Sequence, residues 1–106
     1  MLPLAMNDET LRRKISAIAK ESLQSIASRV ILLPHAKQQM RKRNVLLTQV
    51  YDTLIRGVVV EHAHRDIKGC WKCTLSHLTA GDRVKVAAAL CLADDGAVVV
   101  VITVMN

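Results

Sequence analysis

At Gly57 the spacing of apolar residues changes, and with it the kind of structure the chain can form. Upstream, Leu11, Ile15, Ile18, Ser22/Leu23 and Ile26 recur every three or four residues, the period of one helical face. Downstream, Val58–His64, Cys70–His77, Arg83–Leu92 and Ala97–Val104 alternate between apolar and polar or small residues, the period of a strand. Helices followed by strands make an α+β fold. Thr79-Ala80-Gly81-Asp82 and the Asp95-Gly96 pair are turn signals, and connections this short join antiparallel neighbours. The expected architecture is therefore N-terminal helices packed on a four-stranded antiparallel meander.

The helical half divides at its own punctuation. Asn7 is a candidate N-cap, with Asp8 and Glu9 in the first turn, where negative charge favours the positive helix end. Helix one is expected over Asp8–Ala27. Arg29-Val30-Ile31-Leu32-Leu33 is a short β-prone run, and Pro34 suits the first turn of a new helix. Helix two is expected over His35–Arg43, with Asn44 as a left-handed C-cap. Helix three, Leu47–Arg56, turns Leu47, Val50, Tyr51 and Leu54 inward and stops at Gly57. The 106 residues suit a single domain, with residues 1–6 expected as a disordered extension and Met6 as an alternative start.

Charge bears on partners. Fifteen Lys and Arg against nine Asp and Glu give a net charge of +6, a balance suited to nucleic acid, an acidic protein or an anionic surface. Between Leu11 and Arg43 stand nine bases and one acid; the rest of the chain carries six bases and eight acids. The helical half is the electrostatic handle. With aromatics at 2%, an aromatic base-stacking platform is not expected. There is no apolar run long enough for a membrane span and no secretory signal, so a cytoplasmic chain is expected. Three cysteines in such a chain are expected as thiols.

Alternation sorts the sheet into faces. Val84, Val86, Ala88, Leu90 and Leu92 share one side of their strand, and Trp71, Cys73 and Leu75 share one side of theirs. Packing these sets on the helices leaves Lys72, Thr74, Arg83 and Lys85 together on an open face, where a phosphodiester can lie.

The segment Leu33-Pro34-His35-Ala36-Lys37-Gln38-Gln39-Met40-Arg41-Lys42-Arg43-Asn44-Val45, followed by Val50, Leu54 and Gly57, resembles a bacterial family, domain of unknown function 4258. The resemblance runs from about Val30 to Val104. That family is grouped with the RelE-like RNase fold and the MqsR-like toxins. The resemblance implies a RelE/MqsR-like fold and a toxin-type endoribonuclease neutralised by a cognate antitoxin protein. MqsR-like toxins carry a Tyr in a strand where this chain reads Asp82-Arg83-Val84-Lys85-Val86, so their active residues are not carried over.

Metal-independent RNA cleavage needs a base for the 2′-hydroxyl, an acid for the leaving 5′-oxygen and cations for the crowded phosphate; His, Lys and Arg fill these roles near neutral pH. His35 at the head of helix two, with Arg41 and Arg43 further along it, is one candidate set; against it, His35 can simply cap a helix whose arginines are solvated. His62 and His64, two apart on a strand and so expected on one face, form a candidate acid–base pair or plain sheet surface. Lys37, Lys72, Arg83 and Lys85 are candidate RNA-binding cations, or solvated charge. Zinc at His62, His64, Cys70, Cys73 and His77 is the weaker reading, because Cys70 and Cys73 on a strand point to opposite faces. No metal or other cofactor is implied. The alternatives to an RNA-cleaving enzyme are a nucleic-acid binder without catalysis and a domain whose basic helices dock an acidic protein. A homo-oligomer fits any of them.

Overall fold

The structure, a computed structural model, describes residues 2–25 and 28–106. Helix α1 spans Asp8–Gln24. Its start is set by Asn7, whose side-chain oxygen accepts the Thr10 N–H at 2.8 Å. Leu11, Ile15 and Ala19 are its buried stripe; Ile26 and Ala27, expected as its last turn, lie outside the described residues. Helix α2, Pro34–Arg43, has its proline in the first turn and Asn44 in the left-handed region at φ 54°. Helix α3, Leu47–Arg56, buries Gln49, Val50, Thr53, Leu54 and Ile55. Leu47 is the exception to its expected inward face, being 48% exposed at the helix start. Gly57 has an ordinary negative φ of −68°. Glycine is required there by space: a Cβ would collide with the Thr53 carbonyl.

Five strands follow or intervene: β1 (Val30–Leu32), β2 (Val58–Arg65), β3 (Trp71–Thr79), β4 (Asp82–Ala93) and β5 (Gly96–Met105). They form one sheet in the order β1-β5-β4-β3-β2. Strands β2 to β5 pair antiparallel in sequence order. The sheet is nevertheless mixed, not a purely antiparallel four-stranded one, because β1 adds to β5 in parallel. Without it β5 would present an open row of backbone donors and acceptors. The β-prone run fills that edge: Val99 N–H donates to the Arg29 carbonyl at 2.8 Å and Leu33 N–H to the Val101 carbonyl at 3.1 Å. The Arg29 guanidinium adds bonds to the carbonyls of Asp95 at 2.7 Å and Ala97 at 3.2 Å.

Turn chemistry fixes the registers. Thr79 pairs with Asp82, and the two residues between, Ala80 and Gly81, both have positive φ, 50° and 84°, as a type I′ hairpin demands. The last hairpin closes one residue earlier than Asp95-Gly96 suggests: Ala93 pairs with Gly96, so Asp94 and Asp95 form the turn. Gly96 still serves, at φ 126°. At the β2–β3 turn the Asp66 carboxylate accepts the N–H groups of Lys68 and Cys70, each at 2.9 Å.

Helices α1 and α3 pack on one face of the sheet. Leu11, Ile15, Val50 and Leu54 meet Leu75, Val84, Val86 and Val104, all fully buried, and Ser16 ties α1 to α3 by donating to the Ile55 carbonyl at 2.8 Å. Helix α2 instead lies along β5. The start of the chain joins the body: Met6 is buried, and Trp71 Nε1 donates to the Pro3 carbonyl at 2.9 Å. Among the described residues no helix is long and apolar enough to cross a membrane.

The cysteines depart from the expected thiols. Cys70 and Cys91 stand opposite one another at the ends of β3 and β4, with Cα atoms 4.7 Å apart, and are joined as a disulfide; only Cys73 is free. A disulfide persists where conditions are oxidising.

Candidate functional site

The face of the sheet that α1 and α3 leave open carries the chemistry. Residues opposite each other in register point to the same side, so it can be built row by row. His64 faces Lys72, and Lys72 faces Ala89. Glu61 faces Thr74, which faces Ala87. Val58 faces Ser76, which faces Lys85, and Leu78 faces Arg83. Thr74 and Lys72 are two residues apart on β3, so the rows holding Glu61 and His64 are separated by about 7 Å. Lys85 lies two further residues on.

Hydrogen bonds stiffen this surface. Thr74 Oγ1 donates to Glu61 Oε1 at 3.0 Å, and Arg83 donates to Ser76 Oγ at 3.3 Å. Lys72 lies 3.9 Å from the Asp66 carboxylate. Next to Lys72 the sheet is hollowed into a concavity of about 290 Å³ whose walls include Leu33, Ile67, Val100 and Ile102. The result is an imidazole, a carboxylate and three cations on one shallow, partly apolar surface. Glu61 is the member that sequence reasoning missed. Its sharing of a face with His64, three positions on, results from the register shifts between Val59 and Glu61 and between Glu61 and His64. Nothing in the run Val58-Val59-Val60 marks those shifts beforehand.

The same irregularity separates the two histidines expected on one face. His62 Nδ1 pairs with Asp8 Oδ2 at 2.7 Å, while Ala63 N–H donates to Asp8 Oδ1 at 2.7 Å. His62 thus belongs to the junction of β2 with α1. The Ala63 N–H, and then His62, hold the Asp8 carboxyl below its ordinary pKa, and the bond to Asp8 raises that of the His62 imidazole. His64 keeps its place opposite Lys72, with Nδ1 3.2 Å from the His62 carbonyl oxygen.

The α2 candidates divide into two lines. His35, Gln39 and Arg43 follow one another at four-residue spacing; Arg43 donates to Gln39 at 3.0 Å and reaches Asn106 at the end of β5. His35 is exposed, two residues after Leu33 in the wall of the open-face concavity. Lys37 and Arg41 form the other line and border a separate cleft between α2 and α3. The basic helix therefore serves two surfaces, and Arg41 does not join Arg43.

Cys70 lies on the open face, bonded to Cys91, whereas Cys73 is buried among the helices. Burial pushes the Cys73 thiol up to about 11, leaving it unreactive near neutral pH. The two cysteines cannot chelate one ion together, and no cluster of three or more His, Cys, Asp or Glu placed to hold a metal occurs among the described residues. His77 Nε2 lies 3.4 Å from Asp52 on α3. Asp52, held below its ordinary pKa first by the Thr79 hydroxyl and then by Arg56, clamps α3 to the end of β3.

Residues 32–106 match the family described as Domain of unknown function (DUF4258). The chain belongs to this family. The match takes in α2, α3 and the meander, and so every residue of the open-face set. No curated protein and no solved structure matches the chain.

Proposed function

We propose that this DUF4258 protein is a toxin-type endoribonuclease of the RelE/MqsR-like kind, cleaving RNA on the open sheet face and held in check by a cognate antitoxin protein. The observation that carries the reading is the row arrangement of Glu61 and His64 beside Lys72, Arg83 and Lys85 on a face no core helix covers. An RNA strand laid across β3 and β4 meets Arg83 and Lys85 at one end and Lys72 at the other, cations that bind phosphate without regard to sequence. Glu61 and His64 supply two proton-transfer groups. One takes the 2′-hydroxyl proton as that oxygen attacks the adjacent phosphorus; the other protonates the 5′-oxygen as its bond to phosphorus breaks, leaving a 2′,3′-cyclic phosphate. Lys72, next to His64, offsets the charge that builds on the phosphate oxygens. This chemistry needs no metal. Of the exposed imidazoles, His64 is the one with a cation opposite it and a carboxylate in the neighbouring row; His35 and Arg43 extend the RNA track along α2.

The test is inducible expression in a bacterium with RNA integrity as readout, joined to cleavage by purified protein in the presence of a chelator. Wild type is expected to arrest growth and cut RNA, and His64→Ala or Glu61→Gln to lose about a hundredfold or more in rate. His35→Ala is expected to weaken binding more than the chemical step. Intact RNA and harmless expression of the wild type overturn the reading. Salt-sensitive RNA binding without cleavage assigns the face to binding alone.

A further inference from the structure

The second basic surface, the cleft between α2 and α3, is independent of the open face. Leu32, Met40 and Val45 make its floor, in a cavity of about 570 Å³. Its lip is formed by Leu46 and Leu47, which are 64% and 48% exposed. A leucine at position 46 is unexpected on local grounds. It is the N-cap of α3, where Ser, Thr, Asp or Asn can bond the free N–H groups of the first turn and leucine cannot. Gln49 reaches back to the Leu46 N–H at 2.9 Å, and the first turn of α3 carries no acidic residue. The chain gives up a capping side chain and places two large apolar residues in water at the same point.

Charge says what belongs there. Lys37 and Arg41 border the cleft. Between Glu21 and Asp52 the sequence has no acidic residue and five bases, Arg29, Lys37, Arg41, Lys42 and Arg43. Among the described residues Lys37 and Arg41 have no ion pair. The uncapped amides of α3 add a partial positive charge on the leucine side.

We propose that this cleft docks an acidic amphipathic helix from a partner protein, with its apolar residues against Met40, Val45, Leu46 and Leu47 and its carboxylates on Lys37, Arg41 and the α3 N-terminus. Apolar anchors seated in a groove and framed by complementary charge are a recurrent mode of helix recognition. The assignment holds whether or not the open face cleaves RNA, since the two surfaces share none of their lining residues.

The test uses the full chain, isotope-labelled for NMR, and a synthetic helical peptide with leucines along one side and glutamates along the other. Saturable shifts are expected at the amides of Met40 to Leu47, weakening as salt is added. Leu46→Ser with Leu47→Ser is expected to cut affinity about tenfold, and both positions are exposed, so the fold should persist; circular dichroism checks this. Lys37→Glu with Arg41→Glu should lose a similar factor and regain it with a peptide carrying Lys in place of Glu. Three outcomes overturn the proposal: no saturable shift, shifts at Lys72 and Lys85 instead, or equal affinity for both peptides in the charge-reversed protein. Shifts of the cleft amides produced by a short oligouridylate but not by the acidic peptide would reassign the cleft to RNA.

Discussion

The two faces of the sheet are made from the same strands yet differ in almost every physical property. On the covered side, Leu75, Val84, Val86, Val99, Val101 and Val104 are fully buried. On the open side the same strands present Lys72, Arg83 and Lys85, with Glu61 and His64 from β2 completing the rows; Thr74 and Ser76 share this side but are buried, bonded to Glu61 and Arg83. Period-two alternation allows this, because one strand can contribute to the core and to a reactive surface without compromise between them. Stability and chemistry should accordingly respond to different substitutions.

The largest expected separation is Leu75→Ala. Removing this fully buried side chain should cost about 3 kcal/mol of unfolding free energy, read from urea denaturation, while the protein that remains folded should keep the RNA cleavage proposed for the open face. His64→Ala should do the reverse, lowering the proposed cleavage about a hundredfold or more at unchanged stability. A Leu75→Ala protein that is fully folded yet inactive would break the division.

Next in size is the disulfide, the one covalent feature of the open face. Cys70 and Cys91 are 21 residues apart in sequence, and closing a loop of that length restricts the unfolded chain by about 3 kcal/mol. Reduction with a thiol, or Cys70→Ser with Cys91→Ser, should lower the midpoint of thermal unfolding by a corresponding amount. Both cysteines lie one row beyond Lys72, at the opposite end of the face from Arg83 and Lys85, so the RNA binding proposed for those two cations should survive at low temperature. Equal thermal midpoints for oxidised and reduced protein would remove the bond from the stability of the fold.

A smaller effect tests the cations. Arg83→Ala with Lys85→Ala should reduce the slope of log affinity for single-stranded RNA against log salt by about 1.4, with the fold intact since both side chains project into water. The contrasting pair, Arg12→Ala with Arg13→Ala on α1, should leave that slope alone. These two arginines are already engaged with Glu9.

How much of this was legible beforehand depends on the range of the interaction concerned. The faces of β3 and β4 follow from local alternation, and the caps at Asn7 and Asn44 follow from residue type. The disulfide was misjudged: an odd cysteine count pointed to thiols, whereas the register set by the Ala80-Gly81 turn brings Trp71 opposite Leu90 and then Cys70 opposite Cys91. The pairing of β1 with β5 was not legible, because a three-residue β-prone run does not state which distant edge it will meet. Nor was the composition of the site. Three consecutive valines, Val58 to Val60, have no period, so the shifts that turn Glu61 to the open face and His62 towards α1 leave no trace in the pattern. The cleft beside α2 was legible only in part: its basic rim is plain, whereas Leu47 was expected to face inward.

The smallest effect concerns the edge where the two faces meet. His62 is bound to Asp8, and the two shifts have opposite signs. The Asp8 carboxyl is lowered from 3.8, so its contribution to stability is present above that value and is lost as pH falls through the folded pKa. The His62 imidazole is raised from 6.5, so its contribution is complete below 6.5 and is lost as pH rises through the folded pKa. The ion pair is therefore strongest between these two pH values. An NMR titration should place the His62 midpoint above 6.5, and Asp8→Asn should return it towards 6.5. Asparagine retains an oxygen to accept the Ala63 N–H, so the charge is removed while the backbone contact stays. A His62 midpoint at or below 6.5, or one unmoved by Asp8→Asn, would free that imidazole from α1. It would then be available beside His64, and the open face would gain a second histidine at the expense of the junction that now holds β2 to the helical layer.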